Sequence, residues 1–173
     1  MNDAQAFRNA LGHFATGVTI VTARSNEGVP VGVTINSFSS LSLDPPLVLW
    51  SLAKTAKSFP VFCAATHFSV HVLAADQQAL SERFASSSIT KFGHIAYVDG
   101  LGNAPLLSGC AATFECAMDR CLEGGDHKIL IGRVERFKVN PDVLPLLFYR
   151  GRYVVPEPGC LFSPPPALAA ESK

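Results

Sequence analysis

The chain has 173 residues, 48% of them hydrophobic, which is enough apolar material for one domain with a sizeable core. Equal numbers of basic and acidic residues, 14 of each, give a formal net charge of zero and argue against nucleic acid or an anionic membrane as a partner. Because only 16% of the residues are charged, we expect a homodimer that buries part of the surface.

The cellular setting is predicted from the N-terminus and the cysteines. The N-terminal segment has no long apolar run, so we predict neither a signal peptide nor a transmembrane segment. Five cysteines without a CxxC pair fit reduced thiols better than a disulfide or zinc framework. We therefore expect a cytoplasmic protein without a metal site.

The first third of the chain predicts a helix and a hairpin. Apolar residues from Phe7 to Phe14 follow helical spacing, which predicts an amphipathic helix over Asp3–Ala15. Two β-branched runs, Val18–Ala23 and Val29–Ile35, flank a turn-rich cluster and predict a hairpin.

A polar segment follows this hairpin. The run of Asn, Ser and Thr up to Ser42 predicts a loop, and Pro45-Pro46 leads from it into a strand over Leu47–Leu52. Ser58 is the expected cap of a short helix that carries Pro60 in its first turn.

The second half of the chain is mostly strand-like. Glu123–Asp126 predicts a four-residue turn between two long strands. Many short strands without βαβ alternation favour a mostly β fold, a closed antiparallel barrel with a few peripheral helices, over a Rossmann fold. The domain is expected to span residues 1–155, and the proline-rich residues 156–173 to form an extended or disordered tail. The elements expected here are strands over His67–Leu73, Ala111–Leu122 and His127–Val139, a helix over Asp76–Ala85 capped by Asp76, and a closing segment over Phe148–Tyr153.

Two polar clusters are candidate ligand sites. Thr34, Asn36 and Ser37 belong to a segment that suits either contact with a polar cofactor or a solvated turn, and the residues alone do not separate the two. The second cluster, Ser51 to Ser58 with Lys57, offers hydroxyls, a cation and helix-start amides to a phosphate. Capping and ordinary surface lysines explain the same residues.

The histidines have different predicted roles. His127 stands at the mouth of a predicted hairpin, where its imidazole suits contact with a ring or a proton relay, or else a bond to a neighbouring carbonyl. His67 and His71 lie four residues apart on a strand, which separates them by about 13 Å and makes them core or edge residues, not metal ligands. Phe92 and Tyr153 are candidates for stacking on a planar ring.

Five segments, in order along the chain, resemble the flavin reductase-like family, which includes the reductase components of two-component flavin monooxygenases. The resemblance covers about Phe7 to Tyr153. The segments are TGVTIVTA (Thr16–Ala23), GVTINSFSSLSLDPPLVLWSL (Gly32–Leu52), KSF (Lys57–Phe59), GDHKILIGRV (Gly125–Val134) and FYRGRY (Phe148–Tyr153).

This resemblance implies an FMN-binding split barrel that dimerises near the flavin, with NADH or NADPH as donor and FMN or FAD as acceptor. His127 is similar to the family residue that meets the nicotinamide, and is the candidate catalytic residue. The flavin-binding positions implied are Thr34, Asn36 and Ser37 at the ring edge, Ser51, Leu52 and Ala53 along the ribityl and phosphate path, Lys57 and Ser58 near the phosphate, and Phe92 and Tyr153 at the border of the cleft.

Three functions remain open at this point. The first is an NAD(P)H-dependent flavin reductase that supplies a partner monooxygenase, and the second is a flavin-dependent reductase of a bound corrinoid, which other members of the family use as acceptor. The third is a flavin- or haem-binding protein without turnover. The choice between NADH and NADPH is open as well, because it depends on one well-placed cation, and the candidates are Arg83, Lys91, Arg133, Arg150 and Arg152.

Overall fold

The computed structural model describes residues 3–88 and 90–157. The predicted tail therefore lies almost wholly outside the described residues and stays a prediction. No helix in the described part of the chain is long and apolar enough to cross a bilayer. The helices are α1 (Asp3–Leu11), α2 (Phe59–Ala64) and α3 (Gln78–Ala85), with a 3₁₀ turn over Leu101–Asn103.

Strands dominate the fold, as the sequence predicts. The strands are β1 (Thr16–Gly17), β2 (Thr19–Arg24), β3 (Pro30–Ile35), β4 (Ser39–Leu43), β5 (Pro46–Ala53), β6 (His67–Val72), β7 (Tyr97–Asp99), β8 (Pro105–Leu107), β9 (Ala112–Gly124), β10 (His127–Val139), β11 (Leu147–Tyr149) and β12 (Arg152–Val154). Seven of them form one antiparallel sheet in the order β3-β2-β6-β9-β10-β5-β4, and two small sheets pair β1 with the β11–β12 hairpin and β7 with β8.

Aromatic side chains organise the core. Trp50 of β5 is fully buried and makes edge-to-face contacts with Phe62 and Phe68, at ring-centroid distances of 5.0 and 5.8 Å. A second cluster gathers Leu73 and Phe84 between β2, β6 and α3. Burial alternates along β5, so that every second side chain enters the core and the others face away from it.

Three sequence expectations were wrong in detail. The predicted polar loop contains a strand, β4, which pairs with β5 and has two of its three serines exposed. Asp76 does not cap α3, because Gln77 takes that position and α3 begins at Gln78. The turn between β9 and β10 is tighter than predicted, since Gly124 pairs directly with His127 and leaves only Gly125 and Asp126 at the tip.

His71 lies in the core, as expected from its place on a strand. Its Nδ1–H donates to the carbonyl of Ile20 (3.0 Å), and the amide of Leu107 donates to its Nε2 (3.1 Å). Both ring nitrogens are therefore used, which fixes the neutral tautomer. Burial lowers the pKa of His71 from 6.5 to about 4, because the protein interior disfavours the charged imidazolium.

Candidate functional site

A cleft opens beside β3, between the turn that follows β5 and the end of α3. Its volume is about 490 Å³, within the range of small-molecule sites. Its walls are residues 29–33, residues 55–58 and residues 85–88, and Lys91 and Phe92 close it. We call it the lysine cleft, after Lys57 and Lys91. None of the described residues that line it is Asp or Glu.

Three cations hold the loop that follows α3 against this cleft. Lys57 Nζ donates to the carbonyl of Ser87 (3.0 Å), and Lys91 Nζ donates to the carbonyls of Gly32 (3.1 Å) and Phe84 (2.7 Å). Arg83 donates from Nε to the carbonyl of Lys91 (2.6 Å). The loop is thus fastened to β3 and α3 through main-chain oxygens.

No carboxylate neutralises these three cations within residues 3–88 and 90–157. The pKa of Lys91 is lowered, first because the ammonium is partly buried and second because the charge of Lys57 lies nearby. Positive charge is therefore concentrated at the lysine cleft without internal compensation. A phosphate bound there would stabilise both ammonium groups.

Two residues predicted to contact a ligand, Thr34 and Tyr153, use their hydroxyls inside the protein. Thr34 Oγ1 donates to the carbonyl of Ser81 (2.7 Å), and the hydroxyl of Ser81 is hydrogen-bonded to that of Tyr153 (2.9 Å). Thr34 and Tyr153 are therefore joined through Ser81 into one polar chain. This chain fastens the end of β3 to α3 and to the β11–β12 hairpin, and the lone pairs of Thr34 Oγ1 remain available as acceptors.

Ser37 joins the two strand ends that border the site. Its Oγ accepts from the amide of Ser51 (3.0 Å) and donates to the carbonyl of the same residue (3.2 Å). A ligand that reached Ser37 would therefore meet chiefly its main chain. The side chain of Leu52 is only 2% exposed and packs in the core. Only the main chain of Leu52 could therefore contact a ligand. Ser51 and Ala53 point to the other face of β5.

His127 begins β10 and lies next to the end of β5, where it pairs with Ala53. Its Nδ1–H donates to the carboxylate of Asp126 (2.7 Å), and this bond lowers the pKa of Asp126. The imidazole is partly exposed, and Nε2 is the nitrogen that the Asp126 contact leaves open. His127 does not line the lysine cleft, although the wall formed by Thr55 to Ser58 begins only two residues after Ala53, its pairing partner.

A second cavity of about 650 Å³ lies beyond the far end of β3. Arg8, His13 and Arg150 supply its basic groups, and none of the described residues around it is acidic. Asn36, one of the predicted ring-edge residues, lines this cavity and not the lysine cleft. We call it the arginine cavity.

The predicted site residues thus fall into three places. Lys57, Ser58 and Phe92 line the lysine cleft, Asn36 lines the arginine cavity, and the remainder lie on or behind the strand ends between them. Sequence reasoning missed Gly32 as a wall of the lysine cleft and Arg8 as a wall of the arginine cavity. Neither residue carries a local signal, because each reaches its cavity through the tertiary fold.

Comparison with known proteins gives a consistent picture. A family model described as a flavin reductase like domain matches residues 11–156. FMN reductase (NADH) SmoA of Agrobacterium fabrum is 46% identical over 87% of this chain and 85% of its own length. The reductase subunit HsaB of a flavin-dependent monooxygenase from Rhodococcus jostii is 42% identical over 90% of the chain and 80% of its own length.

Some relatives are longer. The chain spans half of the reductase component of a flavin-dependent trigonelline monooxygenase from Acinetobacter baylyi, with 40% identity over 90% of this chain.

Two solved structures share the fold. Component B of nitrilotriacetate monooxygenase from Mycobacterium thermoresistibile superposes with a TM-score of 0.91 and 37% identity, over 99% of this chain and 96% of that one. The NADH:FAD oxidoreductase SgcE6 of Streptomyces globisporus, solved in complex with NAD and FAD fragments, gives a TM-score of 0.86 and 39% identity, over 91% and 95% of the two chains.

Proposed function

The chain belongs to the flavin reductase-like family, as its motifs predict, and we propose that it is an NAD(P)H-dependent flavin reductase that supplies reduced flavin to a partner monooxygenase. The observation that carries the proposal is the lysine cleft, where Lys57 and Lys91 offer uncompensated positive charge beside an apolar wall of β3. A flavin nucleotide joins an apolar ring to a phosphate and fits this arrangement. Relatives named as reductase components of monooxygenases support the partner.

The residues of the lysine cleft fit the phosphate end of a flavin. Lys57 and the hydroxyl of Ser58 line the same wall, and α2 begins there without a side-chain capping bond from Ser58. That hydroxyl is therefore not consumed by the helix. Lys91 faces the same space from the loop after α3, where Phe92 presents an aromatic wall. We assign phosphate binding to Lys57, Ser58 and Lys91.

The ring end of the flavin falls to the strand ends in this proposal. Thr34, Asn36 and Ser37 lie at the end of β3, and Ser51 to Ala53 lie at the end of β5 beside them. Because the hydroxyls of Thr34 and Ser37 are used internally, main-chain groups make most of the contacts to the ring edge. Tyr153 supports this region from behind through Ser81.

His127 is the proposed catalytic residue on the donor side. A bound flavin supplies the two-electron chemistry by accepting hydride from the nicotinamide. Asp126 holds Nδ1–H of His127 and so fixes which nitrogen the imidazole presents outward. Hydrogen bonding by Nε2 to the donor would orient it and reduce the entropy lost in reaching the reactive geometry.

Steady-state NADH oxidation with added FMN or FAD tests the proposed function. We expect turnover that depends on both flavin and protein. Flavin binding without NADH or NADPH consumption would contradict it and would favour a flavin-binding protein without turnover. A Co(II)-to-Co(I) spectral change far faster than with free reduced flavin would instead favour the corrinoid reductase.

We also propose that the protein is a homodimer. Large apolar side chains are exposed on the sheet, among them Leu43 of the edge strand β4 (94% exposed) and Phe137 of β10 (70%), and on α1, where Phe7 is 67% exposed. None of the described residues of α1 is buried, although its apolar residues share one face. Sedimentation tests this, and we expect a dimer that Phe137→Ser weakens. A monomer at micromolar concentration would contradict it.

We propose a cytoplasmic location because of the state of the cysteines. The four that the structure describes, Cys63, Cys110, Cys116 and Cys121, are free thiols. Free thiols suit a reducing compartment.

A further inference from the structure

The structure narrows the cations that could recognise a nicotinamide donor. Arg83 and Lys91 hold the loop beside the lysine cleft through main-chain carbonyls, and that cleft is already assigned to the flavin phosphate. Arg133 faces the carboxylate of Asp119 at 3.8 Å, and Arg152 lines neither cavity. Arg150 is left, and it lines the arginine cavity.

Arg150 has a defined backbone position. It sits at the tip of the β11–β12 hairpin with a positive φ of 49°, followed by Gly151 at 78°, as a two-residue turn requires. Its amide donates to the carbonyl of Gly12 (2.9 Å), which fastens the hairpin tip to the segment after α1. Arg8, in the last turn of α1, approaches the same cavity.

Both guanidinium groups lack an acidic partner. Over residues 3–88 and 90–157, neither Arg8 nor Arg150 forms an ion pair, and neither side chain donates a hydrogen bond to the protein. His13, which packs edge-on against Tyr149 at 6.4 Å, adds a third basic group. Two unpaired arginines and a histidine around one cavity match an anion with several oxygen acceptors.

The two cavities lie near the same strand, β3. Val33 lines the lysine cleft and Asn36 lines the arginine cavity, and three residues of extended chain span about 10 Å. A ligand in the arginine cavity can therefore reach the end of β3, where the flavin ring is proposed to lie. The lysine cleft and the arginine cavity then serve two different nucleotides that meet between them.

We propose that the arginine cavity binds the phosphate groups of the nicotinamide dinucleotide donor, with Arg8 and Arg150 as the contacting residues. The inference rests on the proposed function, because it assigns the donor of that reaction. The pyrophosphate and a 2′-phosphate offer the same chemistry to a guanidinium. The experiment has separate arms for the two.

Calorimetric titration with ADP-ribose and with 2′-phospho-ADP-ribose measures this binding without any turnover. We expect Arg8→Gln and Arg150→Gln each to weaken binding about tenfold, the loss of one charge-assisted contact. If both ligands lose affinity equally, the arginines bind the pyrophosphate. If only 2′-phospho-ADP-ribose loses affinity, they bind the 2′-phosphate. Arg152→Gln, on the same hairpin but outside the cavity, is the matched control and should bind as the wild type does.

Kinetics supply the second readout. Arg150→Gln should raise KM for the donor about tenfold while kcat and the flavin Kd stay within twofold, which a loss of structure would not produce. Unchanged affinity for both ADP-ribose and 2′-phospho-ADP-ribose in the Arg8→Gln/Arg150→Gln double variant overturns the inference, and so does an equal loss in Arg152→Gln. If the wild type binds ADP-ribose through these arginines but reduces no flavin, the proposed function fails and the cavity assignment stands.

Discussion

Replacement of Gly32 by alanine tests whether the wall of the lysine cleft is packed as the structure shows. A Cβ at this position would lie 2.5 Å from Cε1 and 2.6 Å from Cδ1 of Phe84, and 3.4 Å from the ring of Phe92. Phe84 is fully buried and packs edge-on against Phe92 at 5.0 Å, so its ring cannot swing into solvent. Gly32→Ala must therefore displace Phe84 and, with it, Phe92.

Two effects should follow. Overpacking of this kind destabilises by about 1–3 kcal/mol, which lowers Tm by about 3–10 °C in a chain of this size. Because Gly32 and Phe92 both line the cleft, the shift should also weaken flavin binding, by about tenfold if it removes about 1.4 kcal/mol of contact. Thermal unfolding and flavin fluorescence titration measure the two quantities.

Gly17→Ala is the matched control. Gly17 lies in a strand, as Gly32 does, but no atom lies within 4 Å of the Cβ that an alanine would add there. We expect its Tm and flavin Kd to stay at wild-type values, since exposed substitutions of this type cost less than about 0.5 kcal/mol. If Gly32→Ala behaves like Gly17→Ala in both measurements, the packing of Phe84 against Gly32 is not as described.

Three further predictions concern single side chains. The pKa of His71 is lower in the folded protein than in the unfolded chain, so the unfolded state binds more protons between pH 6.5 and 4. As the pH falls through that window, His71 should lower the free energy of unfolding by up to about 3 kcal/mol. Urea denaturation should therefore show a steeper loss of stability with falling pH in the wild type than in His71→Asn. His127→Ala should lower kcat/KM for NADH about tenfold while the flavin Kd stays unchanged, and a normal rate of NADH oxidation would remove His127 from the reaction. Lys57→Gln should weaken FMN binding about tenfold but leave riboflavin, which lacks the phosphate, unaffected; an equal loss for both ligands would contradict a phosphate contact.

The strands of the central sheet could be predicted because the local residue pattern and the position in the folded sheet both favour a strand. The run His127–Val139 is strand-like throughout, and its predicted ends are those of β10. The edge strand Ser39–Leu43 was missed, because its serines read as a loop and its strand conformation depends on pairing with β5. Likewise, Gln77 stands at the cap position of α3 in place of Asp76, and its side chain bonds outside the helix, accepting from the amide of Ala74 and donating to the carbonyl of Ser108.

The candidate site was less accessible to sequence reasoning than the fold. Lys57 and Ser58 could be found because they are neighbours in the chain and share one wall of the lysine cleft. Arg8 and Arg150 come from opposite ends of the domain, and only the contact between the β11–β12 hairpin and the segment after α1 brings them to one cavity. The hydrogen bond from the Thr34 hydroxyl to the carbonyl of Ser81 also depends on the tertiary fold. Because of this bond, the proposed contacts to the flavin ring come from the main chain and not from side chains.

Anaerobic single-turnover reduction of FMN by NADH, with the protein in excess over the flavin, tests the central claim most directly. We predict that the visible flavin absorbance is lost in one exponential phase, whose rate saturates with NADH concentration and far exceeds that of free FMN mixed with NADH. A rate equal to that of the free mixture would show that the protein does not catalyse hydride transfer to flavin, and would contradict the account.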